Sequence, residues 1–153
     1  MKKLLVIILI GAAFYQWSIG QDNSVAITEN KIQNIGYKIP DNQTNNAIES
    51  AYKNRSSNVQ VSGSGVVIRL LRDDNKGSRH QKFILRLSSG QTLLIAHNID
   101  LASRINSISN GDQIQFYGEY EWNNKGGVVH WTHRDPNGHH VGGWLRHKGR
   151  TYQ

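Results

Sequence analysis

The run Gln113-Ile-Gln-Phe-Tyr-Gly-Glu-Tyr-Glu-Trp122, followed by Asn123-Asn-Lys-Gly-Gly127 and Val128-Val-His-Trp-Thr-His133, decides the architecture of this chain. Ile114, Phe116, Gly118, Tyr120 and Trp122 alternate with Gln113, Gln115, Tyr117, Glu119 and Glu121. That period of two sends successive side chains to opposite faces of a half-buried strand. The Asn/Lys/Gly stretch has hairpin-loop chemistry, so Val128–His133 is predicted to return as a partner strand.

Upstream, Phe83, Leu85 and Leu87 alternate with Lys82, Ile84 and Arg86 in 81–87, Ser88-Ser-Gly90 makes a turn, and Leu93, Ile95 and His97 share one face of 92–97. Val59-Gln-Val61 and Val66-Val-Ile68 flank Ser62-Gly-Ser-Gly65. Glycines inside a strand pattern predict a bulge or strong bend, as in a first strand that serves both sides of a small barrel. Leu101, Ile105 and Ile108 fall at i, i+4 and i+7 after Asn98 or Asp100, which predicts a short helix between the third and fourth strands. A second helix is expected over 45–54, capped from Asp41-Asn-Gln-Thr44, with Ala47, Ala51, Ile48 and Tyr52 toward the domain. Trp144–His147 and Arg150–Gln153 flank Lys148-Gly149, the signature of a terminal hairpin with a two-residue turn. The expected fold is therefore mainly β: a five-stranded barrel of the oligonucleotide/oligosaccharide-binding (OB) kind, with one short helix between strands and a C-terminal hairpin. An SH3-like barrel is the rival.

Ahead of this domain, Met1-Lys2-Lys3 and the apolar run Leu4–Phe14 have the pattern of a secretory signal peptide, with Ser18 and Gly20 suited to cleavage before Gln21. The expected division is 1–20 signal peptide, 21–57 polar linker carrying the first helix, and 58–153 barrel domain. Left uncleaved, the leader becomes a short inner-membrane anchor. The location is accordingly periplasmic or secreted, with membrane contact only if cleavage fails.

The chain of 153 residues has a net charge of +7 and no cysteine. Disulfides, thiolate metal sites and cysteine nucleophiles are excluded, so a metal would need His, Asp or Glu ligands. The positive balance fits contact with nucleic acid or another polyanion. There is no Gly-x-Ser-x-Gly elbow, P-loop, dinucleotide fingerprint or His-Glu-x-x-His helix.

Five of seven histidines lie within Val128–His147, together with Trp131, Trp144, Arg134, Arg146 and Asp135. On a regular strand His130, Thr132 and Arg134 share one face, and Trp131, His133 and Asp135 the other. A metal site would therefore combine His133 and Asp135 with His139 or His140, returned by the Asp135-Pro-Asn-Gly138 turn. The ion would be Zn, Mn, Mg or Ca, unless these are surface histidines held by the turn. Arg79, His97 and Asn98 should meet where the second and third strands end, with His80 or His97 as a general base beside Arg79 as a phosphate clamp, and with His130 or His80 as the base of a metal-dependent enzyme. Trp131, Arg134, Trp144 and Arg146 have the aromatic and basic chemistry that stacks bases and holds phosphates.

The motifs Arg79-His-Gln-Lys-Phe83, Leu94-Ile-Ala-His-Asn-Ile-Asp-Leu101, Gly118-Glu-Tyr-Glu-Trp122 and His130-Trp-Thr-His-Arg-Asp-Pro-Asn-Gly138, with the tail from Gly143-Trp144, resemble the bacterial family termed domain of unknown function 3465. The resemblance covers 59–153 and implies a small exported domain without an assigned activity. Three roles follow as expectations: binding of a polyanion or nucleic acid, a metal-dependent phosphodiesterase or nuclease, and an envelope structural or partner-binding protein.

Overall fold

The computed structural model describes residues 45–153. The expected signal segment or anchor, most of the linker and the Asp41–Thr44 cap lie outside the described residues. One helix, α1 (Asn46–Lys53), precedes seven strands among them: β1 (Val59–Leu70), β2 (His80–Arg86), β3 (Thr92–Asn98), β4 (Gln113–Glu121), β5 (Val128–His130), β6 (Trp144–His147) and β7 (Arg150–Tyr152).

β1 pairs antiparallel with β2 and with β4, β2 with β3, and β4 with β5, while β3 and β5 run parallel. The ring β1-β2-β3-β5-β4-β1 thus closes, and closure removes the free strand edges that invite aggregation. Phe83, Leu85, Leu93, Ile95, Ile114, Phe116, Tyr120 and Val129 fill the interior, in agreement with the alternation of the sequence. Each large side chain removed from water there stabilises the fold by about 1.5–3 kcal/mol before the entropy of ordering is counted.

β4 shares one edge between two strands, β5 along Glu119–Glu121 and β6 along Ile114–Tyr117. Gly118 sits at the junction, where a Cβ would lie 2.4 Å from the His130 carbonyl oxygen. The segment 131–143 leaves β4 at this point and returns to it. β6 and β7 form the predicted hairpin, with Lys148 (φ 47°) and Gly149 (φ 79°) in the left-handed conformation a type I′ turn requires.

β1 is the strand that both neighbours share. It pairs with β4 from Val59 to Val66 and with β2 from Val66 onward, with a register shift between Val67 and Arg69. Ahead of the β2 pairing, where β1 is already paired with β4, its other edge is covered by a side chain. The buried Asn45 amide donates from Nδ2 to the Ser64 carbonyl (3.2 Å) and accepts at Oδ1 from the Ser64 N–H (3.2 Å). This copies the pair of bonds a neighbouring strand would make. Gly63 permits the approach, since a Cβ there would come within 2.6 Å of both Asn45 Oδ1 and Phe116. α1 then packs Ile48 and Ala51 into the core, whereas Ala47 remains exposed. The packed domain therefore begins before residue 58.

Two local expectations are corrected. Residues 99–112 contain turns and no helix, and Leu101 is 46% exposed. The buried Gln81 amide explains this: Nε2 donates to the Ile105 carbonyl (3.0 Å) and Oε1 accepts from its N–H (2.9 Å), taking both groups a helix would use. Ile105 and Ile108 are buried as expected, but by turns. The fifth strand stops at His130 rather than His133, because Trp131 adopts φ 51°, a conformation that breaks strand alternation.

Replacing Asn45 with Ala removes both of its bonds to the buried Ser64 backbone. Loss of about 1–3 kcal/mol is expected in urea denaturation, whereas Asn54→Ala, at the exposed end of α1, should stay within about 0.5 kcal/mol of the parent.

Candidate functional site

The outward positions of β4 are Gln115, Tyr117, Glu119 and Glu121, and strand register decides what each meets. Tyr117 lies opposite Trp144 of β6, and Gln115 opposite Arg146. Glu119 lies opposite His130 of β5 on one side and Gln60 of β1 on the other. Two chemical districts therefore adjoin on one face, about 7 Å apart along the strand.

The first is aromatic and basic. The Tyr117 and Trp144 rings are 6.4 Å apart and tilted by 32°, and the Arg146 guanidinium stands 5.2 Å from the Trp144 ring. Arg146 also donates from Nε to Thr151 Oγ1 (3.3 Å), and Arg150 lies 5.1 Å from the Tyr152 ring. Neither arginine has a carboxylate partner among the described residues.

The second contains Glu119, Glu121 and His130. Among the described residues, these are the His/Asp/Glu side chains that gather as a group of three, with one ligand-type atom from each within 4.8 Å of the others. His130 Nε2 is 3.5 Å from Glu119 Oε1 and 4.0 Å from Glu121 Oε1. That nitrogen is buried and makes no hydrogen bond, and the amide nitrogen of Gln60 in the same cross-strand row is also buried without a partner. Burial lowers the His130 pKa, against the opposing pull of Glu119 and Glu121, while His80 and His140 add to the lowering. The returning loop stands over this district. The His140 ring stacks on Trp131 at 3.9 Å and 16°, with Nδ1 3.9 Å from Glu119 Oε2.

The metal set expected from sequence does not assemble in this way. Asp135 accepts backbone N–H groups from Asn137 (3.0 Å), His139 (2.6 Å) and His140 (2.8 Å), so its carboxylate organises its own turn. The same bonds, the one from Asn137 foremost, lower its pKa. His133 is buried beside Trp131 and its Nδ1 donates to the Arg134 carbonyl (2.7 Å), while His139 is exposed. Of the four expected ligands, only His140 comes near the observed group. Glu119 and Glu121 were legible as outward residues of β4, but their pairing with His130 depends on the β4–β5 register.

His97, expected at a binding or catalytic surface, is instead sealed in the interior at 0% exposure. Its Nε2 must donate to the Ser103 carbonyl (3.3 Å), since a carbonyl only accepts, so Nδ1 accepts the Thr132 hydroxyl (2.8 Å). Arg79 and Asn98 do adjoin at the strand ends, yet they latch a turn. Asp100 receives the Arg79 N–H and Nε at 2.7 Å each, and its own N–H goes to Asn98 Oδ1 at 2.9 Å. His80 lies opposite Asn98 and donates from Nδ1 to the Ser78 carbonyl (2.8 Å). Arg134 is exposed on the returning loop. A cavity of about 340 Å³ lies apart from these groups, lined by Val66, Ile68, Arg86 and Leu87 among others.

Burial brings the His97 pKa down to about 4, with the His133 and His80 charges adding to it and the backbone groups of Ser103 and Thr132 opposing it. Above the unfolded value near 6.5 the ring is neutral in both states. As pH falls from there towards 4, the unfolded chain takes up the proton first and stability is lost. The loss should approach about 3 kcal/mol at the low end. Urea midpoints at pH 7.5 and 4.5 should differ less in His97→Asn than in the parent.

A model of the family described as "Protein of unknown function (DUF3465)" matches residues 32–153. No curated protein matches the chain.

Proposed function

Since the chain belongs to the DUF3465 family, whose description assigns no activity, we propose its function from the site: it binds a polyanionic chain, single-stranded nucleic acid first, across the outward face of β4, β6 and β7. The observation that carries this reading is the Tyr117–Trp144–Arg146 ladder, two adjoining rings with a guanidinium over the second. Rings stack on bases whatever their sequence, and a guanidinium without a carboxylate partner attracts phosphate. Other cations are less available. Arg79, Lys82, Arg104 and Lys148 are each paired with an aspartate.

The strand order β1-β2-β3-β5-β4-β1, with β3 and β5 parallel, supports reading the barrel as OB-like, a class that often binds oligonucleotides. That analogy is weaker than the chemistry, because barrels of one fold host unrelated functions. It also favours the β2–β3 face, whereas the aromatic ladder lies on β4–β6. Export to the periplasm or beyond is part of the same proposal, supported by the basic start and apolar run of residues 1–14. Together they describe an exported polyanion-binding domain.

Binding of a fluorescent oligothymidylate, followed by anisotropy, should weaken steeply with salt. Trp144→Ala should cost about 1–3 kcal/mol of affinity, and Arg146→Ala should reduce the salt slope by about one. Undiminished binding in both folded variants excludes this face.

A further inference from the structure

We propose that Glu119, Glu121 and His130 form a divalent-cation site, suited to Mn²⁺ or Zn²⁺, on the outer face of the β4–β5 pair. This inference does not rest on nucleic-acid binding. It rests on how three side chains are held.

Glu119 and Glu121 are two apart on β4 and so project from the same face, while His130 is the direct cross-strand neighbour of Glu119. Two carboxylates side by side repel, and among the described residues neither forms an ion pair with Lys or Arg. Their basic neighbours are histidines.

The imidazole supplies the second, independent observation. Nε2 is inaccessible to solvent, faces both carboxylates at 3.5 and 4.0 Å, and makes no hydrogen bond. A buried polar atom left in this state is costly unless something else satisfies it. Bonds of about 2.0–2.2 Å to one ion place neighbouring ligand atoms about 3–3.5 Å apart. The Glu119 spacing already has that value, and the Glu121 spacing needs to contract by about half an ångström. Both histidine–carboxylate spacings therefore approach those of ligands of one ion, and the three ligand atoms lie within 4.8 Å of one another.

Two carboxylate oxygens and one imidazole nitrogen suit first-row divalent ions better than Mg²⁺ or Ca²⁺, which prefer oxygen throughout. Three protein ligands leave positions for water or another ligand. His140, stacked on Trp131 and 3.9 Å from the second Glu119 oxygen, is placed to orient that carboxylate from the outer side.

The test is Mn²⁺ binding to the full-length chain, read by loss of the free-ion electron paramagnetic resonance signal and by calorimetry. One saturable equivalent is expected. Glu119→Gln, Glu121→Gln and His130→Gln should each weaken it by about ten- to a hundredfold, with His139→Ala unchanged and folding checked by circular dichroism. Absence of saturable binding overturns the proposal, as does binding that survives in any two folded variants of the three. Parallel anisotropy without metal separates this outcome from failure of the polyanion reading, since the Tyr117–Trp144–Arg146 ladder contains none of the three ligands.

Discussion

Everything in this molecule depends on β1 having two partners. A single strand that pairs with β4 over its first part and β2 over its second must bend, and its β2-side edge needs another cover before the β2 pairing begins. Asn45 covers it at Ser64 with a donor and an acceptor in the geometry of a peptide. Gly63 leaves the room, and Phe116 and Ile48 close around it. The β1–β4 pairing closes the barrel, and a side chain completes the sheet edge beside it.

The same device recurs at Gln81, whose amide takes both backbone groups of Ile105. Buried amides are costly unless bonded, and here each meets both the N–H and the carbonyl of one residue. One covers the β1 edge, and the other holds the β3–β4 connection against the barrel. The outer face of β4 acquires its chemistry as a by-product of this scaffold, since closure lines up β1, β4, β5 and β6 in one register.

Much of the barrel was legible because alternation is a local property. Phe83, Leu85, Leu93, Ile95, Ile114 and Phe116 declare their faces from sequence alone, and Lys148-Gly149 declares its turn. The helix proposed after β3 failed because i, i+4, i+7 spacing cannot reveal that a glutamine 24 residues upstream captures Ile105. The candidate site was half legible. The histidine-rich stretch drew attention to the right segment, but strand alternation was extended past His130, where Trp131 turns to positive φ. Glu119 and Glu121 lie outside that stretch, and only the β4–β5 register brings them to His130.

β1 also governs the order in which the chain can complete itself. β2 and β3 form a neighbouring hairpin, but β1 meets β4 across roughly fifty to sixty residues of intervening chain. During vectorial emergence, β1 to β3 must wait with an open edge until β4 arrives, and β3 waits longer for β5. Closure is thus a late, long-range event, and the partly assembled sheet is the state most exposed to pairing with another chain. The constraint that makes the finished barrel edge-free makes its assembly depend on keeping neighbouring chains apart until the last strands arrive.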